Sequence, residues 1–398
     1  MTRAGSLPGS VTERGNHRYQ LRVHVGGGRY KARTVTARTK RELQREWRKF
    51  IGDLEVGLNV DHGRLTVATF AAQWLAQIKR TRTFGTWRRY DTVVQTYVVP
   101  TLGHIRLDRL THGEVQHCVD LVVDQGKVAT AETLRLVLGA LGKLAVRRRL
   151  LTTNPVVGIA LPPRRRREYR VLAVHEAQAL LDVCRMGNAR LRQLYPIVHL
   201  LLHTGLRRGE ALGLRWDAVD FTHRTIHVHE QLTRQPGGGF GLGPTKTGTD
   251  RLVHAGEPAM VVLKRHKDEQ DALRAELGSA YEDRGFVFTR LDGRARTHGV
   301  PIGPNTLTRW FAEALRVAGL PKLRIHDLRD TAATLAIAAG VDLVTVSEML
   351  GHSSIAMTAD RYVHPHSTTK RAAADRLADA LAGNYAQNMS RSGRADAI

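Results

Sequence analysis

Residues 161–167 read LPPRRRR, and this break constrains the fold of the chain more than any other feature of the sequence. Proline lacks a backbone N–H and restricts the residue before it, so a helix does not continue through this segment. The four adjacent positive charges also repel one another. Because a chain of 398 residues exceeds the usual size of one hydrophobic core, we expect several domains, with the main boundary in a basic linker at residues 161–169.

Residues 64–160, which precede the linker, show only helical patterns. Apolar residues recur at helical spacing from Phe70 to Ile78 and again in later stretches. Thr111 and Glu114 form a capping-box pattern in front of one of these stretches, and the last of them ends in three arginines at 147–149. We therefore expect a four-helix domain with basic ends.

Residues 1–60 are predicted to form a small basic sheet followed by a helix. Polar and apolar residues alternate from Arg18 to Val25, as in a half-buried strand, and a second strand-like run covers residues 29–37. Thr39 and Glu42 then give another capping-box pattern, which opens a helix. The polar strand face could read a DNA groove, as β-ribbon proteins do, or it could simply face solvent.

Residues 170–385 carry a mixed pattern, in which helices surround a strand pair near 225–231 and 251–254 with a glycine-rich loop at 237–243. The expected fold class is therefore mainly α and multidomain. A small N-terminal sheet plus helix and a helical domain come first, and a mixed α/β, mostly helical domain follows.

The C-terminal end is predicted to carry one more helix. Residues 371–381 are amphipathic at helical spacing. Such a helix could dock on the core of its own chain or on a neighbouring protomer. Residues 386–398 are expected to be a flexible tail.

The charge balance points to a polyanionic partner. Lys and Arg number 61 against 37 Asp and Glu, a formal net charge of +24. Nucleic acid is the natural partner, although charge sign alone does not exclude an acidic membrane surface. The basic side chains expected to contact DNA lie on the strands, at the end of the helical domain and in the linker. They are Arg18, Arg22, Lys31, Arg33, Arg147, Arg148, Arg164, Arg165, Arg166 and Arg167.

Cysteine content and hydropathy indicate the cellular compartment of the protein. Cys118 and Cys184 are the only cysteines, and each lies in an apolar stretch, so neither a disulfide framework nor a cysteine-based zinc site is indicated. No apolar run approaches the roughly 18 to 20 residues that span a bilayer. The N-terminus lacks the apolar core of a signal peptide. We expect a cytoplasmic protein with no membrane partner.

Three short motifs in the last domain carry the chemistry. Residues 204–212 read TGLRRGEAL and follow an apolar run. Residues 326–329 read HDLR, and the i to i+3 spacing puts imidazole and guanidinium on one helix face. Residues 350–352 read LGH, and Tyr362 follows ten residues after His352. Each motif is weak by itself, but their order and joint occurrence are specific.

Together these motifs resemble the tyrosine recombinase (phage integrase) family over residues 170–365. The resemblance makes Arg207 and Arg329 the phosphate-binding arginines and Tyr362 the nucleophile. It also assigns the hairpin lysine to Lys246, the two histidines to His326 and His352, and the supporting acidic residue to Glu210. The preceding parts resemble the core-binding and arm-binding domains of phage integrases, without equally specific motifs.

The resemblance also implies an activity. It implies a site-specific recombinase of a phage or integrative element, which acts through a 3′-phosphotyrosine and a Holliday junction. The implied partners are double-stranded DNA attachment sites and three further copies of the chain in a homotetramer. An accessory DNA-bending protein and a directionality factor are compatible with it. No metal and no cofactor are expected.

The residue types fit this chemistry. A phosphodiester under attack gains charge on its nonbridging oxygens, and a guanidinium fork can hold two of them while staying charged. Tyrosine has an ordinary pKa of about 10, so Tyr362 needs a cationic site and a proton acceptor such as His326. Lys246 could protonate the leaving 5′ oxygen, and His352 could donate a hydrogen bond to the phosphate. The phosphotyrosine stores the free energy of the broken bond, so no energy cofactor is needed.

Two other functional hypotheses fit the sequence less well. A phosphate-binding loop before Lys246 fails because Pro244 and Thr245 follow the last glycine of the loop. A metal nuclease would use His227, His229 and Glu230, but no carboxylate cluster accompanies them.

Two further functions remain open. A type IB topoisomerase would share the tyrosine and the arginines, but the separate basic N-terminal module favours site-specific assembly. A non-enzymatic DNA-binding regulator would retain its function when Tyr362 is replaced by Phe.

Overall fold

The computed structural model describes residues 9–24, 30–55, 65–163, 170–246, 248, 250–290, 298–352, 354–362 and 378. Contacts between residues divide the chain into two compact units, residues 1–167 and residues 168–398. The domain boundaries expected from the sequence stay predictions. Arg164–Arg167 and most of residues 371–381 lie outside the described residues, so the linker arginines and the C-terminal helix are not placed.

The first unit begins with a three-stranded antiparallel sheet, formed by β1 (Gly9–Glu13), β2 (Arg18–His24) and β3 (Tyr30–Thr36). The helix α1 (Lys40–Glu55) follows. Leu21, Val23 and Val35 point to one face of the sheet, where they pack with Phe50 of α1. The alternating pattern therefore predicted β2 correctly, and the capping box is formed by reciprocal bonds between Thr39 and Glu42.

Four helical segments follow in the described part of the first unit. They are α2 (Val67–Thr81), α3 (Phe84–Val93) continuing into α4 (Val99–Leu102), α5 (His112–Asp124) and α6 (Val128–Arg147). A π-helical turn at Val94–Val98 joins α3 to α4 just before Pro100, where the missing N–H removes a helical hydrogen bond. One apolar core lies between these helices, and the predicted capping box at Thr111 and Glu114 is present.

The second unit has helices around two small sheets. Its helices are α7 (Val174–Met186), α8 (Ala189–Thr204), α9 (Arg208–Gly213), α10 (Glu257–Leu277), α11 (Pro304–Val317), α12 (Asp327–Ala338), α13 (Leu343–Leu350) and α14 (Ile355–Tyr362). Its strands are β4 (Val219–Asp220), β5 (Thr225–Val228), β6 (Glu230–Arg234), β7 (Phe240–Pro244) and β8 (Arg251–His254).

The strands of this unit form two sheets, one in the order β4-β5-β8 and one a hairpin of β6 and β7. In the first sheet Ile226 pairs with Val253, as the predicted strand pair requires. The helix α8 is central: it packs against α7, α10, α11 and α12, and its apolar side chains are buried on nearly every face.

Among the described residues helices dominate both units, and the strands lie in the N-terminal module and in the two small sheets of the second unit. The predicted fold class is therefore confirmed. Within the described part of the chain, no helix is both long and apolar enough to cross a membrane.

Candidate active site

Two helix ends meet in the second unit, and a glycine terminates each helix. Gly205 follows α8 with φ 61°, and Gly351 follows α13 with φ 63°, the left-handed region that favours glycine. A Cβ atom at Gly205 would lie 2.6 Å from Leu350 Cδ2, and one at Gly351 would lie 2.9 Å from Arg251 Cδ. The sequence therefore needs glycine at both positions, and the two helix ends can lie side by side.

Arg329 of α12 ties these two helix ends together. Its Nη1 donates to Gly205 O at 2.7 Å, and its Nη2 donates to Leu350 O at 2.5 Å. The side chain is almost fully buried. Burial, reinforced by the positive charge of Arg207, lowers the pKa of Arg329 to about 10. This value is still well above neutrality, so Arg329 stays a buried cation.

Arg207 lies at the N-cap of α9 and is fixed by Glu210. Its Nη1 and backbone N donate to the two carboxylate oxygens at 2.8 and 2.9 Å, and its Nη2 donates to Gly351 O at 3.1 Å. The Arg207 side chain remains 17% exposed, whereas that of Glu210 is fully buried. Arg207 is thus the more accessible of the two phosphate-binding candidates.

Arg251 of β8 is a second partner of Glu210, which the sequence analysis did not single out. Its Nη1 and Nη2 bind the two carboxylate oxygens at 3.1 and 2.7 Å. Burial acts to raise the pKa of Glu210, but the hydrogen bonds and charges of Arg251 and Arg207 outweigh it and lower the pKa. Glu210 therefore stays ionised between two arginines. No local motif marks Arg251, because its contact depends on the pairing of β8 with the rest of the unit.

Tyr362 is the last residue of α14, a helix that packs against α12 and α13. Its hydroxyl donates to Asp330 Oδ1 at 2.6 Å. Its ring packs against Ala333, Val346 and Leu350. Asp330 is 2% exposed and directly follows Arg329 in the chain, but the sequence analysis missed it. The only sequence signal was its place one residue after the HDLR motif.

The other three candidates differ in their surroundings. His352 is half-buried, with Nδ1 at 2.8 Å from the buried Thr358 Oγ1. His326 is exposed at the N-cap of α12. Lys246 is exposed between β7 and β8, beyond the β6–β7 hairpin. Within the described residues it makes no hydrogen bond to Arg207, Glu210 or Arg329.

The structure thus brings Arg207, Glu210 and Arg329 around the two helix ends, and places Tyr362 and His352 on the elements that follow α13. Lys246 has no described hydrogen bond to them, and its place in the site stays a prediction. In the part of the chain that the structure describes, no three His, Cys, Asp or Glu side chains form a group that could hold a metal ion. His227 and His229 are partly exposed and lie near Asp250 and Glu230, respectively.

The basic residues of the N-terminal sheet divide between its two faces. Arg18 and Arg22 are exposed on the outer face, and the Arg22 guanidinium lies 4.2 Å from the centre of the Tyr30 ring. Because Leu21 pairs with Arg33, Arg33 points to the inner face instead.

On that inner face Arg33 donates to Asp53 Oδ2 at 2.8 Å and lies over the Phe50 ring. Lys31 shares the face. The side chain of Arg33 is 9% exposed, which favours a structural ion pair, and the expected DNA contact of Arg33 stays a prediction. Its inward direction could not be predicted from the sequence, because it depends on the register of the two strands.

The other basic candidates of the first unit lie at the end of α6. Arg147 and Arg148 are exposed there, and the Arg148 guanidinium lies 5.8 Å from the centre of the Phe70 ring.

Family models match both units. The phage integrase family model matches residues 170–369, and the phage integrase central domain model matches residues 67–160. The first match alone covers half of the chain and contains all six catalytic candidates. The chain belongs to the phage integrase family. It is a tyrosine recombinase, an enzyme of the class that cleaves DNA and transfers strands, so the predicted activity of site-specific recombination is confirmed.

Relatives of this integrase extend over most of its length. A tyrosine recombinase XerC-like protein of Caldanaerobacter subterraneus is 26% identical, over 93% of this chain and 98% of the relative. The ICEBs1 integrase of Bacillus subtilis is 23% identical, over 94% and 100%. A tyrosine recombinase XerC of a Mycobacterium strain is 33% identical, over 57% of this integrase and 68% of the relative.

Solved structures share the fold of this integrase. The Tn1549 transposon integrase in complex with a circular intermediate DNA has a TM-score of 0.67 at 20% identity, over 79% of this chain and 99% of that chain. A lambda integrase tetramer bound to a Holliday junction has a TM-score of 0.56 at 19% identity, over 88% and 97%.

Proposed function

We propose that this recombinase is the integrase of a phage or integrative element and that Tyr362 cuts DNA at attachment sites, forming a 3′-phosphotyrosine. One observation carries the assignment of residues: the Tyr362 hydroxyl donates to Asp330, the residue after the buried Arg329, and both Arg329 and Arg207 donate to backbone carbonyls at the end of α13. The proposed nucleophile and two cations therefore belong to one cluster.

Both arginines have side-chain N–H groups beyond those used in the bonds described. A guanidinium has five N–H groups. Two of the side-chain donors of Arg207 and two of Arg329 are used in the bonds described. The bonds to Glu210 and to backbone carbonyls fix the two planes before DNA arrives. Such preorganised donors stabilise the charge that develops on the phosphate without reorganising during the reaction.

The proposed reaction proceeds in two symmetrical steps. The Tyr362 oxygen attacks the phosphorus and the 5′ oxygen leaves, with His352 donating a hydrogen bond to the phosphate. Lys246 is proposed to protonate the leaving oxygen. A 5′ hydroxyl of a second strand then attacks the phosphotyrosine and forms a Holliday junction. Since each bond broken is replaced by a similar one, no energy cofactor is required.

The partners proposed are double-stranded attachment sites and a homotetramer assembled on them. The net charge of +24 and the exposed Arg18, Arg22, Arg147 and Arg148 support the first. A lambda integrase tetramer of the same fold, bound to a Holliday junction, supports the second. An accessory DNA-bending protein and a directionality factor are further proposed partners, and the enzyme would work on DNA in the bacterial cytoplasm.

The N-terminal module supports a mobile-element integrase over a type IB topoisomerase. A topoisomerase relaxes supercoils alone and needs no second site. The three-stranded sheet with its exposed arginines is a separate basic surface that such a reaction would not use. An ICEBs1 integrase also matches almost the whole of this chain, including its N-terminal part.

The test is covalent capture of DNA. Full-length protein first selects its site from a pool of random duplexes, and a nick placed near the cleavage position lets the cut strand diffuse away. Wild type is expected to give a protein–DNA band on a denaturing gel, and Tyr362→Phe is expected to give none. Tyr195→Phe, which removes a half-buried hydroxyl elsewhere in the same unit, should leave the band unchanged.

Two results would contradict the proposal. A wild-type protein that binds its site but never forms the band would favour a non-enzymatic DNA-binding protein. A band that persists in Tyr362→Phe would place the nucleophile on another residue.

A further inference from the structure

The hydroxyl proton of Tyr362 already has an acceptor in the structure. The bond from Tyr362 Oη to Asp330 Oδ1 is 2.6 Å long, typical of a hydrogen bond to an ionised carboxylate. Asp330 lies in the first turn of α12, 2% exposed. A proton acceptor must lie within about 2.6 to 3.2 Å of the oxygen that it deprotonates, and Asp330 meets this requirement.

The direction of this bond suits a nucleophile. A phenol has a single O–H and two lone pairs. When the O–H points inward to a buried carboxylate, the lone pairs are the part of the oxygen that faces away from Asp330. The ring packs against the apolar cluster of Ala333, Val346 and Leu350, which limits its rotation. The hydroxyl is therefore oriented with its proton toward a base and its lone pairs away from that base.

The charges around Asp330 also fit proton transfer. Asp330 directly follows the buried cation Arg329 in the chain. The proximity of Tyr362 acts to raise the pKa of Arg329. Proton transfer from Tyr362 moves negative charge from the carboxylate to the oxygen that attacks the phosphate. The net charge of the buried cluster does not change during this step, which avoids creating a new buried charge.

We propose that Asp330 is the general base that takes the proton of Tyr362 during DNA cleavage, the role that the sequence analysis gave to His326. This inference rests on the proposed function of Tyr362. In the step, the Oη–H bond breaks and the proton passes to Asp330 Oδ1, while Oη forms a bond to phosphorus and the P–O5′ bond breaks. In rejoining, the carboxylic acid of Asp330 returns the proton to the departing Tyr362 oxygen.

The main experiment compares rates of covalent adduct formation on the nicked duplex that the full-length protein selects. Asp330→Asn keeps the size of the side chain but removes its basicity. We expect the adduct rate to fall at least 100-fold, because general base catalysis contributes about 100- to 10,000-fold. Asp330→Glu retains a carboxylate and should keep a larger share of the rate than Asp330→Asn.

Two controls separate the loss of a base from the loss of structure. Asp327→Asn also removes a buried carboxylate from the first turn of α12, but the bonds described for Asp327 go to Arg324. Its rate should fall much less. DNA affinity and the thermal midpoint are measured for each variant, and for Asp330→Asn both should stay close to wild type.

A second readout changes the acidity of the nucleophile itself. Fluorinated tyrosine at position 362 is a more acidic phenol that needs a base less. In Asp330→Asn it should restore the adduct rate by tenfold or more, whereas in the wild-type background its effect should be small. A purely structural role of Asp330 would not respond to phenol acidity.

The outcomes distinguish this proposal from the proposed function. If wild type forms no adduct, or Tyr362→Phe still does, the proposed function fails. If wild type forms the adduct and Asp330→Asn forms it as fast or faster, Tyr362 remains the nucleophile and Asp330 is not its base. Equal losses in Asp327→Asn and Asp330→Asn, or no response to fluorotyrosine, would also overturn the proposal.

Discussion

Glu210 and Arg251 form a two-pronged ion pair, with N–O distances of 3.1 and 2.7 Å and a carboxylate that is fully buried. Glu210 also binds Arg207, so one buried carboxylate pairs with two guanidinium groups. Arg251 therefore influences the position of Arg207 through Glu210, the partner that they share.

Replacing Arg251 should weaken both the fold and the site. Arg251→Gln leaves part of the buried charge of Glu210 uncompensated, and breaking a buried pair costs about 3 kcal/mol. We expect a lower free energy of unfolding in urea and at least tenfold slower adduct formation. Arg265→Gln, which breaks an exposed pair with Glu269, should cost about 0.5 kcal/mol or less. Equal losses in the two variants would show that Glu210 does not depend on Arg251.

The helix end at Gly351 is expected to tolerate no side chain. Its φ is 63°, and a Cβ would lie 2.9 Å from the Arg251 side chain. Gly319 has a similar φ of 65°, but a Cβ there would have no neighbour within 4 Å. Gly319→Ala should therefore cost only the backbone strain, about 1 to 2 kcal/mol. Gly351→Ala should cost more and should also slow adduct formation; thermal melts of both proteins provide the comparison.

His199 should make the stability of the second unit depend on pH. Its ring is buried in α8 and stacks on His203 with 4.2 Å between ring centres. Burial, reinforced by His203, lowers the pKa of His199 to about 4. An unfolded histidine has a pKa of about 6.5. Between these values the unfolded state binds more protons than the folded state, so stability is full above about pH 6.5 and falls as the pH drops toward 4.

The expected loss is on the order of 3 kcal/mol across that window. Urea unfolding of wild type and His199→Leu at several pH values measures it, because the difference in slope reports His199 together with its interaction with His203. His254→Gln, an exposed histidine of the same unit, should keep the wild-type slope. An unchanged slope in His199→Leu would refute the assignment.

Arg22 and Arg33 should have opposite effects despite lying on adjacent strands. Arg22 is exposed, so Arg22→Ala should weaken DNA binding and leave stability unchanged. The slope of the logarithm of the binding constant against the logarithm of the salt concentration should fall in magnitude by about one. Arg33 is paired with Asp53 against Phe50. Arg33→Ala should instead lower the thermal stability of the N-terminal module by about 1 to 3 kcal/mol. Binding isotherms at several salt concentrations and thermal melts measure the two effects. A loss of stability in Arg22→Ala together with a loss of DNA binding alone in Arg33→Ala would contradict these assignments.

Local patterns were sufficient for much of the fold and for the motif residues. Alternation predicted β2, and capping boxes predicted the starts of α1 and α5, because these signals depend on neighbours in the chain. The GLRRGE and HDLR motifs located Arg207, Glu210 and Arg329 for the same reason.

Residues whose environment depends on tertiary contacts could not be predicted in this way. Arg251 and Asp330 carry no pattern of their own: Arg251 contacts Glu210 from β8, and Asp330 contacts Tyr362 from α12. The inward direction of Arg33 depends on strand register, where a shift of one residue exchanges the two faces of a sheet. The strand β1 was missed because its residues show no clear alternation of buried and exposed side chains.

The nucleophile can be identified directly as the residue that carries DNA in the trapped adduct. The adduct is digested with protease and nuclease, and the modified peptide is sequenced by mass spectrometry. We expect a nucleotide linked through its 3′ phosphate to Tyr362. A nucleotide on any other residue, or a link through a 5′ phosphate, would contradict it.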